Sequence, residues 1–232
     1  MHKRAFVLNT IGWFLLFFAM VMGCVRSVGL DPGRYYELQL EAGVHETAGI
    51  SKEDLLQLDV WLARYLEGSL DDPNAEIEVY GQMQPAFNER ELAHLADCRN
   101  LFSITTNIWL NVGLAVAGVA LALYGAKQGL LRPACAWLAA AVIAVPVGLL
   151  GIWAAIDFNS AFNFFHRLLF TNDLWLLNPA TDLLIRICPA SMFASLGLRI
   201  GLRSAAVLLG LPAFLTLAAY FERRKRKQNE NP

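Results

Sequence analysis

Four long runs of residues without a formal charge constrain the fold of this 232-residue chain more than any other feature. They extend from Ala5 to Val25, from Asn100 to Ala126, from Pro133 to Ile156 and from Ser204 to Phe221. The shortest holds 18 residues, and at about 1.5 Å per residue such a helix covers most of a hydrocarbon core about 30 Å thick. With 56% hydrophobic residues, the chain is also too apolar for an ordinary soluble domain. We therefore predict an α-helical integral membrane protein with four transmembrane helices.

Basic residues predict how these helices are oriented. Lys3 and Arg4 precede the first run, Lys127 and Arg132 separate the second from the third, and residues 223–227 form an unbroken basic run after the fourth. If every run spans the membrane, these three places lie on the same side. Because basic residues concentrate on the cytoplasmic side, both termini are predicted to be cytoplasmic.

The same topology divides the chain into three parts. Residues 1–29 are expected to form the first transmembrane helix, and residues 30–98 a cap outside the cytoplasm. Residues 99–232 are expected to hold helices two to four, with an outer interfacial segment at 157–203 and a basic cytoplasmic tail at 222–232. An outer location of the cap agrees with its charge, since residues 31–98 contain 15 acidic and 4 basic residues.

The first run also resembles a secretory signal, because Val21-Met22-Gly23-Cys24 loosely resembles a lipoprotein cleavage box. Its apolar run is longer than the roughly 7–15 residues of a signal core, so an uncleaved anchor is favoured.

The cap is predicted to contain both helix and strand. Alternation of apolar and polar residues at 36–41 and again at 76–80 is typical of half-buried strands. Between them, Ser51 is a suitable helix start, leucines follow at helical spacing, and Gly68 is a suitable stop. We therefore expect a small mixed α/β cap between the first two transmembrane helices.

Two further helices are predicted beside the membrane. Asn88 with Glu91 three residues later is typical of a helix start, and nothing from there to Ala126 predicts a break. In the second case, Asn178-Pro179 predicts a start and Pro189 an end, giving an amphipathic helix in the interface.

The four cysteines do not have the spacing of a metal site. A disulfide between Cys98 and Cys188 is possible outside the cytoplasm, but small apolar fillers are favoured.

Two of the four histidines are candidate functional residues. His94 lies about two turns above the second apolar run, with Asp97 on the same predicted helix face, and His166 lies in the aromatic stretch FNFFHRLLFTNDLW after the third. The predicted topology brings both to the level of the outer leaflet, where ionisable groups are default site candidates. No phosphate-binding loop, nucleophile elbow or zinc motif accompanies them, and the basic tail is a topology signal rather than a nucleic-acid site. On pattern alone, a catalyst and a residue facing lipid headgroups remain equally open.

Three segments carry a resemblance to a known family. HLADCR, FFHRLLFTNDLW and LLNPATDLLIRICPASMF are similar to signature segments of the bacterial four-helix lipoprotein intramolecular transacylases, and the resemblance covers most of the chain, including the cap. It implies an acyltransferase of the bacterial cytoplasmic membrane, with its active site on the outer face. The substrate would be a lipoprotein whose N-terminal cysteine carries a diacylglyceryl group. The enzyme would move the sn-2 acyl chain to the α-amino group of that cysteine, leaving the lyso-form.

The resemblance also implies roles for individual residues. His94 and His166 correspond to the two family histidines, and no cofactor is expected. For substrate binding we name a set of nearby polar and aromatic residues: Asp97, Phe162, Phe165, Arg167, Asn172, Asp173 and Trp175. Membrane phospholipid is expected as a partner, and nucleic acid is not. The chain departs from the family at Cys98 and Arg99, where valine and lysine are usual.

Two other classes of function stay open from the sequence. In one, His94 and His166 ligate haem or a metal ion in a membrane protein that is not an enzyme. In the other, the chain is an accessory protein with a structural cap. The sequence assigns neither the base nor the acid among the two histidines, nor the oligomeric state.

Overall fold

The computed structural model describes residues 2–127 and 133–230, which are largely helical. The first half contains α1 (His2–Gly29), α2 (Pro32–Glu41), α3 (Val44–Ala48), α4 (Lys52–Glu67), β1 (Glu76–Val79), β2 (Gln82–Pro85) and α5 (Glu89–Thr106). The second half contains α6 (Ile108–Lys127), α7 (Pro133–Ile156), α8 (Phe158–Leu169), α9 (Leu183–Ile187) and α10 (Ala190–Glu230).

Within the described residues, four helical stretches are long and apolar enough to cross a membrane. They are Lys3–Gly29, Glu89–Gly125, Pro133–Ile156 and Ala190–Arg226. This confirms the prediction of four transmembrane helices with a small mixed cap between the first two. Arg132, which contributed to the predicted orientation, lies outside the described residues, as do residues 231 and 232 of the basic tail.

The second stretch contains one interruption that was not predicted. Asn107 separates α5 from α6 with an extended backbone (ψ 92°), while its N–H donates to the Ser103 carbonyl. The expectation of an unbroken helix up to Ala126 is therefore wrong by this single residue. Asparagine competes with helix by bonding to nearby backbone groups, which makes it a suitable residue for such a break.

The chain divides into two compact units. The first consists of Met1–Cys24, Ile108–Leu149 and Gly201–Pro232, and the second of Val25–Asn107 and Leu150–Ile200. In the first unit, Phe17 of α1, Ala139 of α7 and Leu208 of α10 belong to one buried apolar cluster. α1 also passes very close to α6: a Cβ on Gly118 would lie only 2.7 Å from the Gly12 carbonyl oxygen. Small residues permit this approach, as is usual between membrane helices.

The second unit has its own core beneath the cap helices. Leu55, Leu58 and Leu62 of α4 pack with Ile77 of β1 and Ile187 of α9. The predicted α4 is confirmed, because Ser51 caps its start and Gly68, with φ at 92°, ends it. β1 is also confirmed. It pairs antiparallel with β2 through a turn at Tyr80 and Gly81, both with positive φ, whereas the fully exposed β2 had no hydrophobic pattern to predict it.

The strand predicted at residues 36–41 is wrong, since this segment belongs to α2. The Asp31 side chain accepts a hydrogen bond from the Arg34 N–H, and Pro32 occupies the first turn. Buried positions Tyr35, Leu38 and Gln39 follow helical spacing. A cap and a first-turn proline thus override the short alternation of apolar residues.

The amphipathic helix predicted between Asn178 and Pro189 is also wrong in extent and surroundings. Asn178 forms a turn, and α9 has only five residues. Leu183, Leu184 and Ile187 are buried in the core of the second unit instead of facing lipid. Cys98 and Cys188 are both thiols and are not bridged.

Candidate functional site

His166 is held by α8, a helix with one strongly apolar side. Asp157 caps α8 by accepting from the Ser160 N–H at 3.1 Å. His166 is only 8% exposed, and its Nδ1 lies 2.8 Å from the Phe162 carbonyl oxygen. Because a carbonyl can only accept, Nδ1 carries the hydrogen, which leaves the Nε2 lone pair of a neutral ring free. The local backbone therefore selects the tautomer in which Nε2 is the basic nitrogen.

His94 approaches His166 from α5. The capping box predicted at Asn88 and Glu91 is present and fixes where α5 begins, and His94 is 7% exposed one turn later. The two imidazole rings lie with their centroids 6.2 Å apart. The histidines do approach each other as predicted, and at this distance both rings can contact the same small reacting group.

Aromatic rings surround the histidine pair. Ring centroids of Phe162, Trp175, Phe170 and Phe165 lie 4.1, 5.0, 5.6 and 5.8 Å from that of His166. The Phe170 ring also stands edge-on to His94 at 5.3 Å. Phe193 from α10 packs on Phe162 at 5.4 Å. Phe170 was noted in the sequence as one of the aromatic residues around His166 but was not among the predicted substrate-binding residues, and Phe193 was not among them either.

Polar contacts join α5 to the chain that follows α8, which we call the α8–α9 loop (residues 170–182). On one side of His94, the Asp97 carboxylate accepts from the Asn172 amide at 2.8 Å. On the other side, the Arg90 guanidinium donates to the Asp173 carbonyl. Asp97 thus bonds to Asn172, whereas the group beside His94 is Cys98, whose sulfur lies 3.5 Å from Nε2.

Two buried carboxylates complete this connection at the start of α5. Glu91 accepts from the Leu184 N–H at 2.6 Å and from the Asn88 N–H at 2.8 Å. Asp182 accepts from the Asn88 side chain at 3.0 Å and from the Asn178 N–H at 2.7 Å. Glu91 had been identified from the sequence only as a helix cap. Its bond to Leu184 spans more than ninety residues and left no local signal.

Arg167 does not lie with the histidines. It lines a groove on another side of α8, together with Trp153, Ser160, Asn163 and Phe164. Of the predicted site residues, the structure therefore brings together His94, His166, Phe162, Phe165 and Trp175, with Asp97, Asn172 and the Asp173 backbone at the connecting loop.

Burial controls the electrostatics of His166. Desolvation lowers the pKa of His166 below its ordinary value of 6.5, and the hydrogen bond to the Phe162 carbonyl opposes this shift. The ring is therefore neutral near pH 7 and able to accept a proton. Within residues 2–127 and 133–230, no group of three His, Cys, Asp or Glu side chains has the arrangement of a metal site.

Comparison with known proteins gives one family and one fold. Residues 10–193 match the model of the family described as lipoprotein intramolecular transacylase Lit. A solved in meso structure of the membrane integral Lit from Bacillus cereus has a TM-score of 0.71 at 19% identity, with 98% of this chain and 100% of that chain covered.

Two more structures of the Bacillus cereus protein, each with one histidine replaced, are also similar. Their TM-scores are 0.68 and 0.66 at 18% and 20% identity. The first covers 96% of this chain and 95% of its own, and the second 98% and 96%. No curated protein matches the sequence. At these identities the solved structures establish the fold, and the family match is independent of them.

Proposed function

This chain belongs to the lipoprotein intramolecular transacylase Lit family, and from that premise we propose that it moves the sn-2 acyl chain of a diacylglyceryl lipoprotein to the α-amino group of the N-terminal cysteine. The family resemblance predicted from the three signature segments is confirmed. The protein is thus an acyltransferase and an integral membrane protein with four spans, and its family acts on lipoproteins. The position of the acyl chain, the acceptor amine and the catalytic groups are the proposed part.

The observation that carries the proposal is the buried histidine pair, with ring centroids 6.2 Å apart. Aminolysis of an ester needs a base for the proton of the attacking amine and an acid for the departing alkoxide. Imidazole can serve in either role near neutral pH. A pair of imidazoles therefore supplies both the base and the acid that this reaction requires. The reaction then needs neither a metal ion nor a carboxylate nucleophile.

The proposed division of labour follows from the His166 tautomer. Nε2 of His166 takes a proton from the amine as the new C–N bond forms at the ester carbonyl. His94 donates a hydrogen bond to the developing oxyanion, and the proton that His166 has taken from the amine is delivered to the glyceryl oxygen as the C–O bond breaks. The products are an amide and a free sn-2 hydroxyl, so protons balance and both histidines end neutral. Because donor and acceptor belong to one substrate, no covalent acyl-enzyme is required.

The aromatic rings around the pair orient the substrate and exclude water. Phe162, Phe165 and Trp175 offer apolar contacts to an acyl chain and limit the access of water to the ester. Holding the amine against the ester of the same molecule can contribute about 7–11 kcal/mol in well-aligned cases. Exclusion of water also suppresses hydrolysis, which would otherwise compete for the same ester.

The polar residues of the α8–α9 loop are proposed to position the substrate rather than transfer protons. The Asp97 carboxylate and the Asn172 amide lie together at one end of the pair and are partly accessible. A carboxylate and an amide there can hydrogen-bond to the α-amino group and to the adjacent peptide bond. Asp173 supplies its backbone carbonyl to Arg90, which leaves its side chain free to meet the lipoprotein peptide.

An outer-face location completes the proposal. It is supported by the acidic character of residues 31–98, with 15 acidic and 4 basic residues, against the basic run after the fourth span. The active site would then meet lipoproteins anchored in the outer leaflet of the bacterial cytoplasmic membrane.

The test is mass spectrometry of a diacylglyceryl lipopeptide incubated with the purified protein. We expect the wild type to yield the N-acyl lyso-form, and His94→Asn or His166→Asn to lower its rate by about 10²–10⁴-fold, the usual contribution of general acid-base catalysis. His45→Asn, in cap helix α3, is the matched control and should keep full activity. An unchanged diacylglyceryl cysteine with a free amine after wild-type treatment would contradict the proposal.

A visible spectrum of the same preparation separates the ligand alternative from this one. We expect no Soret band. A stoichiometric haem that disappears in His94→Asn would instead support haem ligation by the pair.

A further inference from the structure

α8 has a second functional surface besides the one that holds His166. Ser160, Asn163, Phe164 and Arg167 follow one another at helical spacing and, with Trp153 of α7, line a groove of about 320 Å³. The Trp153 and Phe164 rings form one wall, with centroids 5.1 Å apart. The other lining residues supply a hydroxyl, an amide and a guanidinium. His166 does not line this groove, so it is separate from the proposed acyl-transfer site.

Arg167 is the arginine that lines the groove, and its charge is not compensated by a carboxylate. Several others contact a carboxylate, a carbonyl or a ring within the protein: Arg26, Arg34, Arg90, Arg99 and Arg186. In the described part of the chain, no carboxylate lies within ion-pair distance of Arg167. The groove thus presents a cation and an amide donor to its contents, and an anion is the complementary ligand.

The surroundings of the groove indicate where this anion comes from. Phe164, Phe165 and Leu168 of α8 are exposed large apolar residues. Trp153 lies in the last turn of the third membrane span, Pro133–Ile156. An amphipathic helix that continues from a span and exposes such residues lies at the boundary of headgroups and acyl chains. Tryptophan and arginine are typical of that depth, with arginine reaching the phosphates.

We propose that this groove binds the phosphodiester of a membrane glycerophospholipid. The Arg167 guanidinium and the Asn163 amide contact the phosphate oxygens, and an acyl chain follows the Trp153 and Phe164 rings. Arginine suits this role because its planar fork can donate two parallel hydrogen bonds to phosphate. The diacylglyceryl group of the proposed substrate has no phosphate, so the bound lipid is a structural or regulatory partner and not the acyl donor.

The test measures lipid retention by native mass spectrometry in a neutral detergent, without lipoprotein substrate. Phosphatidylglycerol is compared with diacylglycerol of the same acyl chains, so that only the phosphate-bearing headgroup differs. We expect the wild type to retain phosphatidylglycerol preferentially and Arg167→Gln to weaken this binding by about fivefold or more, which is about 1 kcal/mol. Arg199→Gln, an exposed arginine on α10 outside the groove, is the matched control and should bind like the wild type.

Arg167→Lys keeps the charge but loses the two parallel donors of the guanidinium group. We expect it to bind phosphatidylglycerol more weakly than the wild type and more tightly than Arg167→Gln. This second variant decides the matter if Arg167→Gln fails to fold. Equal losses in Arg167→Gln and Arg199→Gln would overturn the proposal, because they would show general surface charge and no groove. Equal retention of diacylglycerol would overturn it too. So would displacement of the lipid by millimolar glycerophosphate, which would assign the groove to a soluble phosphate. Because the assay uses no acyl transfer, its outcome is independent of the proposed catalytic activity.

Discussion

At the scale of single residues, the backbone decides what His166 can do. Its Nδ1 donates to the Phe162 carbonyl at 2.8 Å, which leaves Nε2 as the basic nitrogen. Burial lowers the pKa of the ring, so that the basic form persists below pH 6.5. Because His166 is already neutral near pH 7, its protonation does not limit the reaction there. The substrate amine is then the limiting group, since the pKa of an α-amino group is about 7.7–8.0.

The pH dependence of acyl transfer follows from this order. The logarithm of kcat/KM should rise with a slope of one between pH 6.5 and 7.5, where only the amine loses its proton. A slope approaching two is expected only below pH 6.5, where His166 also becomes protonated. Initial rates of N-acylation across pH 5–9 measure both limbs, and a slope of two that persists above pH 6.5 would contradict the assignment. Stability should change in the same direction. Because the unfolded histidine binds protons more readily, the free energy of unfolding should decrease as pH falls below about 6.5.

A second buried group gives a prediction on stability. Asp59 is fully buried between α2, α4 and α9, where its carboxyl accepts from Gln39 at 3.0 Å and Gln39 also donates to the Ile187 carbonyl. Desolvation raises the pKa of Asp59 to about 8, against the opposing bond from Gln39. Burial is the main cause that raises the pKa values of the nearby Tyr35 phenol and Cys188 thiol, and Asp59 is among the other causes. Both groups are therefore neutral at pH 7.

Since the folded pKa of Asp59 exceeds its unfolded value, stability should decrease as pH rises from about 4 to about 8. Asp59→Asn resembles the neutral acid and should remove this dependence. At pH 8 we expect the variant to be more stable by about 2 kcal/mol or more, or roughly 4–8 °C in Tm. Thermal unfolding in detergent at pH 5 and pH 8 measures this, with exposed Glu53→Gln as control. A variant that is less stable at both pH values would show that the carboxylate is charged in the fold.

Sequence reasoning named the two histidines and three of the rings that lie around His166, but not every immediate neighbour. His94 and His166 could be predicted because each lies in a segment whose polarity conflicts with its membrane depth, and the topology places both segments at one level. Cys98, which lies 3.5 Å from His94 Nε2, and Phe193, which packs on Phe162, carry no such conflict. An apolar residue in an apolar segment gives no indication of which neighbour it meets after folding.

At the scale of elements, the site depends on how α5 is joined to the α8–α9 loop. Asn88 donates to both Glu91 and Asp182, and Glu91 accepts from the Leu184 N–H. These contacts fix the first turn of α5, and His94 lies one turn further along the same rigid helix. The position of one histidine relative to the other is therefore set by buried carboxylates that touch neither ring.

Glu91→Gln tests this positioning role. The amide can still accept from Leu184, but its NH₂ group then faces the Asn88 N–H, so one of the two contacts is lost. We expect kcat for acyl transfer to fall by about tenfold with little change in KM, because a misplaced catalytic group costs mainly turnover. Asp59→Asn is the matched control, since it makes the same change in a buried carboxylate of the same unit without contact to the loop. Equal effects of the two variants on kcat would indicate a general consequence of replacing a buried carboxylate and no positioning.

Local signals predicted α4 and the start of α5 but missed α2, in spite of its cap at Asp31 and Pro32, and gave the wrong extent for α9. α4 and the start of α5 were predicted because Ser51 and Gly68 stand at the two ends of α4, and because Asn88 and Glu91 form a capping box within one turn. α2 was mistaken for a strand because its buried face includes Gln39, a polar residue that bonds to Asp59 twenty positions away and conceals the helical period. α9 was overextended because its burial depends on α4 and β1, which no local pattern reveals.

At the scale of the whole molecule, membrane packing and the histidine pair belong to different parts of the chain. The first unit holds the α1–α6 crossing at Gly12 and Gly118 and a buried bond from the Asn9 amide to the Ala122 carbonyl. Every residue of the histidine site belongs to the second unit, Val25–Asn107 and Leu150–Ile200. The sequence predicted the number of spans well because hydrophobic length is a property of each segment alone. Which side of the membrane carries the histidines is a separate matter, set by charge.

The predicted orientation can be tested with one matched pair of variants. Gln82 in β2 and Gln228 near the end of α10 are both exposed glutamines, one in the acidic cap and one in the basic tail. If basic residues retain the tail in the cytoplasm, a membrane-impermeant maleimide should label the Gln82→Cys variant in intact cells. It should label the Gln228→Cys variant only after the cells are permeabilised. Wild-type protein sets the background from its four native thiols, of which Cys135 is buried and the others are half-buried. The reverse pattern would place the histidine pair on the cytoplasmic side and contradict an active site at the outer face.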